Sequence, residues 1–532
     1  MLERNYMNYR CWRHIFVLLY TCVVTNSLRA APDIQGLTFF SPRSQSSNTA
    51  RLLAGWHNHV YNVQPFPPQQ WHIATTPYFA HAFRLDRLAL ALFGTTQLSI
   101  AGSQVTDRSE NALVADDFGL SPMFESQVRI KPRIKTFLNF FDIAYTTQIR
   151  CTTVSAHLNI PVGWTRWGID LQEVINPQNS TAAFPPGYMN NQLTPLRPPF
   201  TSFTQAIASG APFGALTQGP QNGRIVSHHD AVGFADTTLF LGWHPWQIPT
   251  AHIGLQLVIT APTGNRPKGK KLFEPILGNG KHWQLGIGLH AHTSVWEDIE
   301  QELAVHTYIT ACHIFKARQT RTFDLFDNGF ASRYLLLKVF EQEDNQDFTS
   351  TIMPAVNVTT LPCKVHNNIV VDGSLMLAYT HRNFVGNVGY NGWIRSKEII
   401  TLKEGIAQNT FGIKGVQNVI DPLTGLPDNA TESSATITNG IFAQQQQRAD
   451  FTPVFISTND INIKSAASPL LITHKIFAYA GYSHEIVTYQ AAPFIGIGSE
   501  VEFEGVDNRD VDHPDHIPLS LWSIFIKAGV TF

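Results

Sequence analysis

Cysteine is scarce in this sequence, and the few cysteines are scattered. Of the 5 Cys, Cys11 and Cys22 lie close to the first residue, while Cys151, Cys312 and Cys363 are separated by long stretches of chain. A disulfide framework or a thiolate metal site needs several cysteines at close spacing. The sequence therefore predicts at most one disulfide and no cysteine-based metal centre.

Charge is also sparse, and it is almost balanced. Charged residues make up 15% of the chain, against about 25% in a typical soluble domain. The net charge of -2 gives no electrostatic reason to bind nucleic acid, so that class of partner is excluded. Few charges together with 36 Gly favour strands over charged amphipathic helices.

Long apolar runs are missing beyond the first thirty residues. Arg4, Arg10 and Arg13 precede an apolar run over residues 15–24, and small residues follow it. This order is typical of a secretory signal peptide, here residues 1–30, with cleavage expected after Ser27 or Ala30. No later stretch approaches the roughly 20 apolar residues of a transmembrane helix, so the rest of the chain can meet a membrane only by strands or at its surface.

What the sequence does contain is strict alternation of apolar and polar residues. Every second residue of the final segment is apolar, and the residues between them are mostly small or polar; the apolar set is Trp522, Ile524, Ile526, Ala528, Val530 and Phe532. The same period of 2 recurs over residues 154–164, 252–261, 283–295 and 495–503. Such alternation predicts antiparallel strands with unlike faces.

Strand length decides between a soluble β protein and a membrane barrel. Strands of a sandwich average about five or six residues, whereas outer-membrane strands need about 9 to 11. Ten steps of about 3.3 Å at a tilt near 40° rise about 25 Å, which is the height of the apolar band of such barrels. The sequence therefore predicts an all-β fold, a single antiparallel transmembrane β-barrel over residues 71–532.

The strand count is expected to be about 14, with 12 to 16 open. The candidates are 72–86, 87–101, 125–148, 152–168, 235–245, 251–262, 282–295, 302–316, 331–341, 369–381, 384–400, 469–482, 487–503 and 519–532. This count puts some long connections at the same end as the C-terminus. Either one strand between residues 300 and 370 is miscounted, which is the preferred explanation, or the barrel is unusual. Residues 31–70 are expected to be a periplasmic or luminal segment with a short helix capped by Ser47 or Asn48.

The polar faces of the strands supply the candidate functional residues. Those predicted to line the lumen are His252, Gln256, Gln284, His290, His292, Glu500, Glu502 and Lys527. The two carboxylates and the amine of the last strands would either set a transverse field that filters solutes or neutralise a packed interior. Both alternatives stay open on the sequence alone.

The positions of several histidines are compatible with metal binding or catalysis. His290 and His292, at i and i+2, could clamp a metal from a strand, but neutral imidazoles lining a wet lumen are the preferred interpretation, so neither a metal nor a cofactor is predicted. The loop sequences 228–230 (His-His-Asp) and 512–516 could form acid/base pairs. Neither a GxSxG nor an HExxH pattern occurs, and the chain is predicted not to be an enzyme.

A resemblance to known barrels rests on a short part of the chain. VITAPTGNRP followed by LGNGKHWQLGIGLHAH, within residues 258–292, resembles the PTG and LGxG-W-L-G strands of outer-membrane barrels assigned to phenol-degradation (MetA-pathway) transport. NVGYNGWIRSKE at 387–398 and the terminal Phe532 are similar to outer-membrane barrels generally, and the chain from residue 39 onward resembles large uncharacterised bacterial outer-membrane proteins. The resemblance implies location in the bacterial outer membrane and no catalytic residue. It also implies that barrel-assembly machinery reads Phe532 with Val530, Ile526 and Trp522.

These observations together predict a channel for passive uptake of small solutes, with apolar or aromatic solutes implied by the resemblance. The expected partners are outer-membrane lipid, the barrel-assembly machinery and the solutes. Two alternatives stand beside the channel: a plugged barrel that acts as a surface scaffold or adhesin, and an outer-membrane hydrolase that uses loop histidines. The sequence indicates no oligomeric state.

Overall fold

The computed structural model describes most of the chain from residue 36 to the end. The described residues are 36–46, 48–55, 69–106, 108–109, 111–150, 152–177, 182–184, 197–248, 250–341, 348–415, 437–438, 441–442, 455–486, 490–504 and 519–532. The predicted signal peptide lies outside them. Among the helices of these residues, none is both long enough and apolar enough to cross a membrane.

Twelve strands of the described residues form one closed antiparallel barrel. They are β1 (Gln69–Phe83), β2 (Glu125–Ile149), β3 (Thr152–Ile175), β4 (Thr237–Ile248), β5 (Ala251–Ala261), β6 (Gln284–Glu297), β7 (Gln301–Ile314), β8 (Ile369–His381), β9 (Phe384–Arg395), β10 (Leu471–Ser483), β11 (Ala492–Glu504) and β12 (Ser520–Thr531). Each strand pairs with the next along the chain, and β1 pairs with β12 from His72↔Thr531 to Phe83↔Ser520. A closed ring leaves no unpaired sheet edge, which is the condition for crossing a bilayer with strands.

Twelve barrel strands lie at the lower end of the expected range of 12 to 16, and the count of 14 is not confirmed, because two of the candidates are not barrel strands. Residues 87–101 form helix α2 (Leu85–Phe93) and a short strand, Gln97–Ala101, that pairs with the outer part of β2. The run LALALF alternates but also places Leu88, Leu92 and Phe93 on one helical face, and that face is buried. Residues 331–341 form a 3₁₀ turn and the strand Leu336–Phe340 of a separate small sheet.

Removing these two candidates corrects the topology. The short connections, 150–151, 249–250, 298–300, 382–383 and 484–491, now lie at one end of the barrel, which we call the turn end. The long connections, 84–124, 176–236, 262–283, 315–368, 396–470 and 505–519, lie at the other, the loop end. Short turns at one end and long loops at the other are the usual arrangement of membrane barrels.

The described parts of the long connections fold into a packed cap over the loop end. Three-stranded sheets are formed by Ala317–Thr322, Thr360–His366 and Ile399–Leu402, and by Leu336–Phe340, Phe348–Pro354 and Phe411–Ile413. The shorter strands are Leu113–Val114, His229–Phe234, Asp324–Leu325, Ile437–Thr438, Ile441–Phe442 and Ile461–Asn462, and the helical segments are α3 (Phe203–Ser209), Ala115–Phe118, Ser332–Tyr334, Ala355–Asn357, Thr458–Asp460 and Ile463–Ala466. A core that includes Phe40, Trp167, Phe273 and Phe323 holds the cap together.

The outer surface of the barrel is apolar and bounded by aromatic side chains. Exposed aliphatic residues include Leu241, Leu257, Ile287, Leu375, Ile497, Ile524 and Ile526. Exposed aromatic residues at the turn end are Trp71, Trp243, Trp246, Trp296, Tyr379, Phe384 and Tyr482, and those at the loop end of the band are Trp283, Phe315 and Trp522. An apolar band between two aromatic girdles is the surface that a barrel presents to lipid.

Candidate functional site in the barrel interior

An N-terminal segment lies inside the barrel. Leu37, Phe39 and Phe40 pack in the core of the cap. Further along, helix α1 (Thr49–Leu53) begins at Asn48, whose side chain accepts hydrogen bonds from the amides of residues 50 and 51. Its small apolar residues pack on inward-facing aromatic side chains of the barrel; these are Tyr78, Phe140, Phe477, Tyr479 and Phe525. We call residues 36–46 and 48–55 the plug.

Carboxylates of the barrel wall hold the plug through ion pairs and hydrogen bonds. The Arg43 guanidinium lies 2.8 Å from Asp372 and 3.5 Å from Glu502. The Asn48 amide nitrogen donates to both oxygens of Glu500, at 3.1 and 3.2 Å. Thr49 donates its hydroxyl to Asp372 at 2.8 Å.

Amines of the wall complete the arrangement. The Lys475 ammonium lies 3.0 Å from Glu500 and 3.5 Å from Glu502. The Lys527 ammonium donates to the backbone carbonyls of Arg51 and Ala54, at 2.6 and 2.7 Å. These are carbonyls at the end of α1 that have no partner within the helix, so the amine both satisfies them and anchors the plug.

A second anchor joins the plug to the cap. The guanidinium of Arg321 lies 3.6 Å from the ring centroid of Phe39, and Arg395 donates to the hydroxyl and carbonyl of Ser41, both at 2.9 Å. The carboxylate of Glu398 accepts hydrogen bonds from the Arg321 guanidinium. Burial raises the pKa of Glu398, but the positive charges of Arg321 and Arg395 outweigh burial and hold that pKa below its usual range.

All eight residues predicted to line the lumen lie on the inward face and are buried; they are His252, Gln256, Gln284, His290, His292, Glu500, Glu502 and Lys527. The two carboxylates pair with Lys475, and the Lys527 ammonium binds carbonyls of the plug. Lys475 was not predicted as a lumen residue, although the alternation along β10 places it on the inward-facing side of that strand. Asp372 and Arg43 were also missed, since their pairing joins distant parts of the chain.

The residues of the expected assembly signal face outward. Trp522, Ile526 and Phe532 are exposed and Val530 is half-buried. The backbone of Phe532 exchanges hydrogen bonds with Trp71, at 2.7 and 2.9 Å, and so continues the seam between β1 and β12. Recognition of these residues by assembly machinery stays a prediction.

Space beside the plug is small. A cavity of about 40 Å³ is bordered by plug residues Pro42 and Ser44 and by wall residues that include Cys312, Asp372 and Trp393. Such a volume holds one or two water molecules. Among the described residues, this cavity therefore has room for water but not for a larger solute.

The loop residues considered for catalysis do not come together as a relay. His228 is 3.1 Å from the neighbouring Ser227 hydroxyl, but the carboxylate of Asp230 is bound by Arg166 through two hydrogen bonds of 2.7 Å. Residues 512–516 lie outside the described part of the chain. Cys312 and Cys363 are buried free thiols, and Cys151 is not among the described residues.

The closed antiparallel ring, its apolar outer band between aromatic girdles and its short turns at one end define a transmembrane β-barrel of the bacterial outer membrane. Solved structures to which the chain is similar include an outer membrane channel from Pseudomonas putida F1, with a TM-score of 0.34 and 10% identity over 88% of this chain and 100% of that one. The Pseudomonas putida toluene transporter TodX gives 0.28 and 9% over 94% and 95%, and a Pseudomonas aeruginosa FadL homologue gives 0.28 and 6% over 93% and 99%.

No protein-family model and no curated protein matches the sequence. At TM-scores this low the likeness to the three structures carries no argument about solutes or mechanism. The proposals below therefore depend on the residues of this chain.

Proposed function

We propose that the protein is a channel for passive uptake of small solutes, closed by the plug in the described arrangement and opened when the plug moves. The observation that carries this proposal is the polar character of the contacts between plug and wall. Arg43, Asn48 and Thr49 of the plug bind Asp372, Glu500 and Glu502 of the wall. Each of these wall groups is one that water can solvate when the plug leaves.

The energetic contrast with an apolar plug supports a movable one. Replacing a buried ion pair by well-packed apolar residues is often neutral or stabilising, because desolvation offsets most of the Coulomb attraction. A permanent seal therefore gains little from buried charges. When the plug moves away, water solvates the charged groups of the plug and the wall. The open and closed arrangements are therefore closer in free energy than they would be with an apolar plug, as a gate requires.

The wall that the plug would uncover has two chemical surfaces. One carries the carboxylates Asp142, Asp372, Glu500 and Glu502 against the amines of Lys475 and Lys527. The other is the aromatic strip formed by Tyr78, Phe140, Phe477, Tyr479 and Phe525, on which the plug now packs. The strip supports small solutes with an apolar or aromatic part as substrates, and the surplus of carboxylates supports cations over anions.

Conductance in planar lipid bilayers tests the proposal. Purified full-length protein should show brief, discrete openings, and a variant that lacks residues 36–55 should show long-lived ones of larger conductance. Silence of both proteins, when both are folded by gel mobility and circular dichroism, would contradict a channel.

A second candidate, a plugged barrel that serves as a surface scaffold, has one observation in its favour. The cap has its own core, and Leu37, Phe39 and Phe40 of the plug are part of it, so that cap and plug form one packed unit. Silence after removal of the plug is the result that this candidate predicts. We do not propose an enzymatic function, since Asp230 is held by Arg166 and leaves His228 without an orienting carboxylate.

A further inference from the structure

Histidines from three adjacent strands converge inside the barrel near its turn end. His244 is near the end of β4, His252 is the second residue of β5, and His290 and His292 lie near the middle of β6. The four side chains are 1% to 4% exposed. The channel proposed above assigns no role to these side chains.

Local features of the sequence bring these rings together. The register of β4 against β5 shifts between Trp243 and Trp246, so His244 lies in a bulge, and bulges are a means of re-aiming a side chain. In β5 the residue opposite His290 is Gly254. A Cβ at Gly254 would lie 2.0 Å from a ring carbon of His290, so only glycine lets that ring lie across β5.

The spacing of the ring nitrogens suits a shared metal ion. One nitrogen each of His244, His252 and His290 lies within 4.8 Å of the others. His252 Nε2 is 2.9 Å from His290 Nδ1, and the ring centroids of His244 and His290 are 4.7 Å apart. Nitrogens that bind one zinc ion tetrahedrally at about 2.1 Å are about 3.4 Å apart, which falls between the 2.9 Å separation of His252 and His290 and the 4.8 Å limit of the group.

Two polar atoms of the cluster lack a hydrogen-bond partner among the described residues. They are Nδ1 of His244 and Nε2 of His292, on side chains that are 3% and 4% exposed. Leaving a buried polar atom unsatisfied costs about 1 to 3 kcal/mol. A cation at the cluster would remove that cost for a ring that binds it.

We propose that His244, His252 and His290, with His292 beside them, form a binding site for a divalent transition-metal ion such as Zn²⁺. Neutral imidazoles are good ligands for zinc, copper and nickel, and three histidines with one further position form a known kind of zinc site. The bound ion ties β4, β5 and β6 together from the inside. The rival arrangement is a chain of imidazoles joined only by hydrogen bonds, which binds no metal.

Zinc binding to the purified full-length protein in detergent tests the proposal. After treatment with a chelator, the protein is dialysed against Zn²⁺ at a free concentration fixed by a competing chelator, and bound zinc is measured by atomic absorption. We expect about one tightly bound ion per chain that is lost in His252→Asn and His290→Asn, with affinity at least about 100-fold lower. The matched control is His313→Asn, since His313 lies on β7 and is exposed on the outer face; it should bind zinc like the wild type.

Equal zinc binding by the wild type, His252→Asn and His290→Asn would overturn the proposal, because histidines elsewhere would then hold the ion. If the variants do not fold, as judged by gel mobility with and without heating, metal binding by the wild type alone tests the proposal. With Co²⁺ in place of zinc, the proposal predicts the intense visible absorption of a tetrahedral nitrogen site. Absence of that band at saturating Co²⁺ contradicts it.

Discussion

Arg43 and Asp372 form an ion pair of 2.8 Å inside the barrel. Arg43 belongs to the N-terminal plug and Asp372 to β8, so the pair joins a segment outside the ring of strands to the wall of the ring. Both side chains are almost completely buried, at 6% and 3% exposure. In the channel that we propose, closure depends on this contact.

Replacing Arg43 should loosen the plug. In Arg43→Gln, Asp372 and Glu502 lose their shared cation while the plug remains in place, and breaking a buried pair from one side costs about 3 to 5 kcal/mol. Movement of the plug relieves that cost by admitting water. We expect the open probability in planar bilayers to rise at least about 100-fold, since each 1.4 kcal/mol is a factor of ten.

The control for this change is Arg382→Gln. Arg382 pairs with Glu300 at the turn end, where the side chains are 64% and 46% exposed, and an exposed pair contributes at most about 1 kcal/mol. Its conductance should equal that of the wild type. An equal rise in both variants would show that loss of positive charge, and not release of the plug, causes opening.

Ion selectivity should follow the charges that the plug uncovers. In the Arg43→Gln background we expect preference for K⁺ over Cl⁻, because four wall carboxylates face two amines. The further changes Glu500→Gln and Glu502→Gln should bring the reversal potential in a KCl gradient close to zero. Glu300→Gln at the turn end is the control, and selectivity for anions would contradict the inferred wall.

Lipid contact on the outer face gives a prediction about assembly. Leu257 is 41% exposed on the outer face of β5, and an arginine in its place costs about 2 to 4 kcal/mol if the position lies near the bilayer midplane. We expect Leu257→Arg to lower the folded fraction after refolding into lipid vesicles, measured by gel mobility without heating. Ile299→Arg should refold normally, because Ile299 is a turn residue with 99% exposure.

Stability of the cap should depend on pH through Asp117. Burial, together with the neighbouring Asp116, raises the pKa of Asp117 to about 7. The unfolded chain, with an aspartate pKa near 3.9, binds this proton less tightly. The stability from the bound proton is therefore complete below about pH 4, declines between about pH 4 and 7, and is lost above that range.

Hydrogen exchange in the strand 336–340 of the cap can measure this effect. Protection, corrected for the intrinsic dependence of exchange on pH, should be greater at pH 5 than at pH 8. Asp117→Asn should remove the difference and raise stability at pH 8 by up to about 4 kcal/mol, from a pKa difference of about three units. Protection that is equal at both pH values in the wild type would contradict the assignment.

The strands predicted from long segments of alternating apolar and polar residues agree best with the structure. The expected strands at 251–262 and 282–295 agree with β5 and β6 within two residues at each end, because one face meets lipid and the other a polar interior over more than ten residues. Residues 87–93 were misread as a strand because Leu88, Leu90 and Leu92 satisfy a strand period, whereas Leu88, Leu92 and Phe93 share the buried face of a helix. Only packing of that helix in the cap core distinguishes the two.

The sequence predicts which side chains face the interior, but not which residues they contact there. Alternation placed Glu500 and Lys527 on the polar face of their strands, but it did not indicate that Lys527 binds carbonyls of the plug, 473 and 476 residues away in sequence. Likewise, His290 and His292 are visible as a pair on one strand, whereas His244 joins them only through a bulge. Contacts across the ring depend on register and closure, which a periodicity within one strand does not encode.

Cross-linking the plug to the wall is the most direct test of closure by the plug. The hydroxyl oxygens of Thr49 and Ser374 are 2.7 Å apart, so Thr49→Cys with Ser374→Cys places two thiols within reach of a disulfide. In the Arg43→Gln background, the oxidised protein should be silent in a planar bilayer, and addition of a reductant should restore openings in the same membrane. Openings of equal size and frequency before and after reduction, with the disulfide verified by mass spectrometry, would contradict the account.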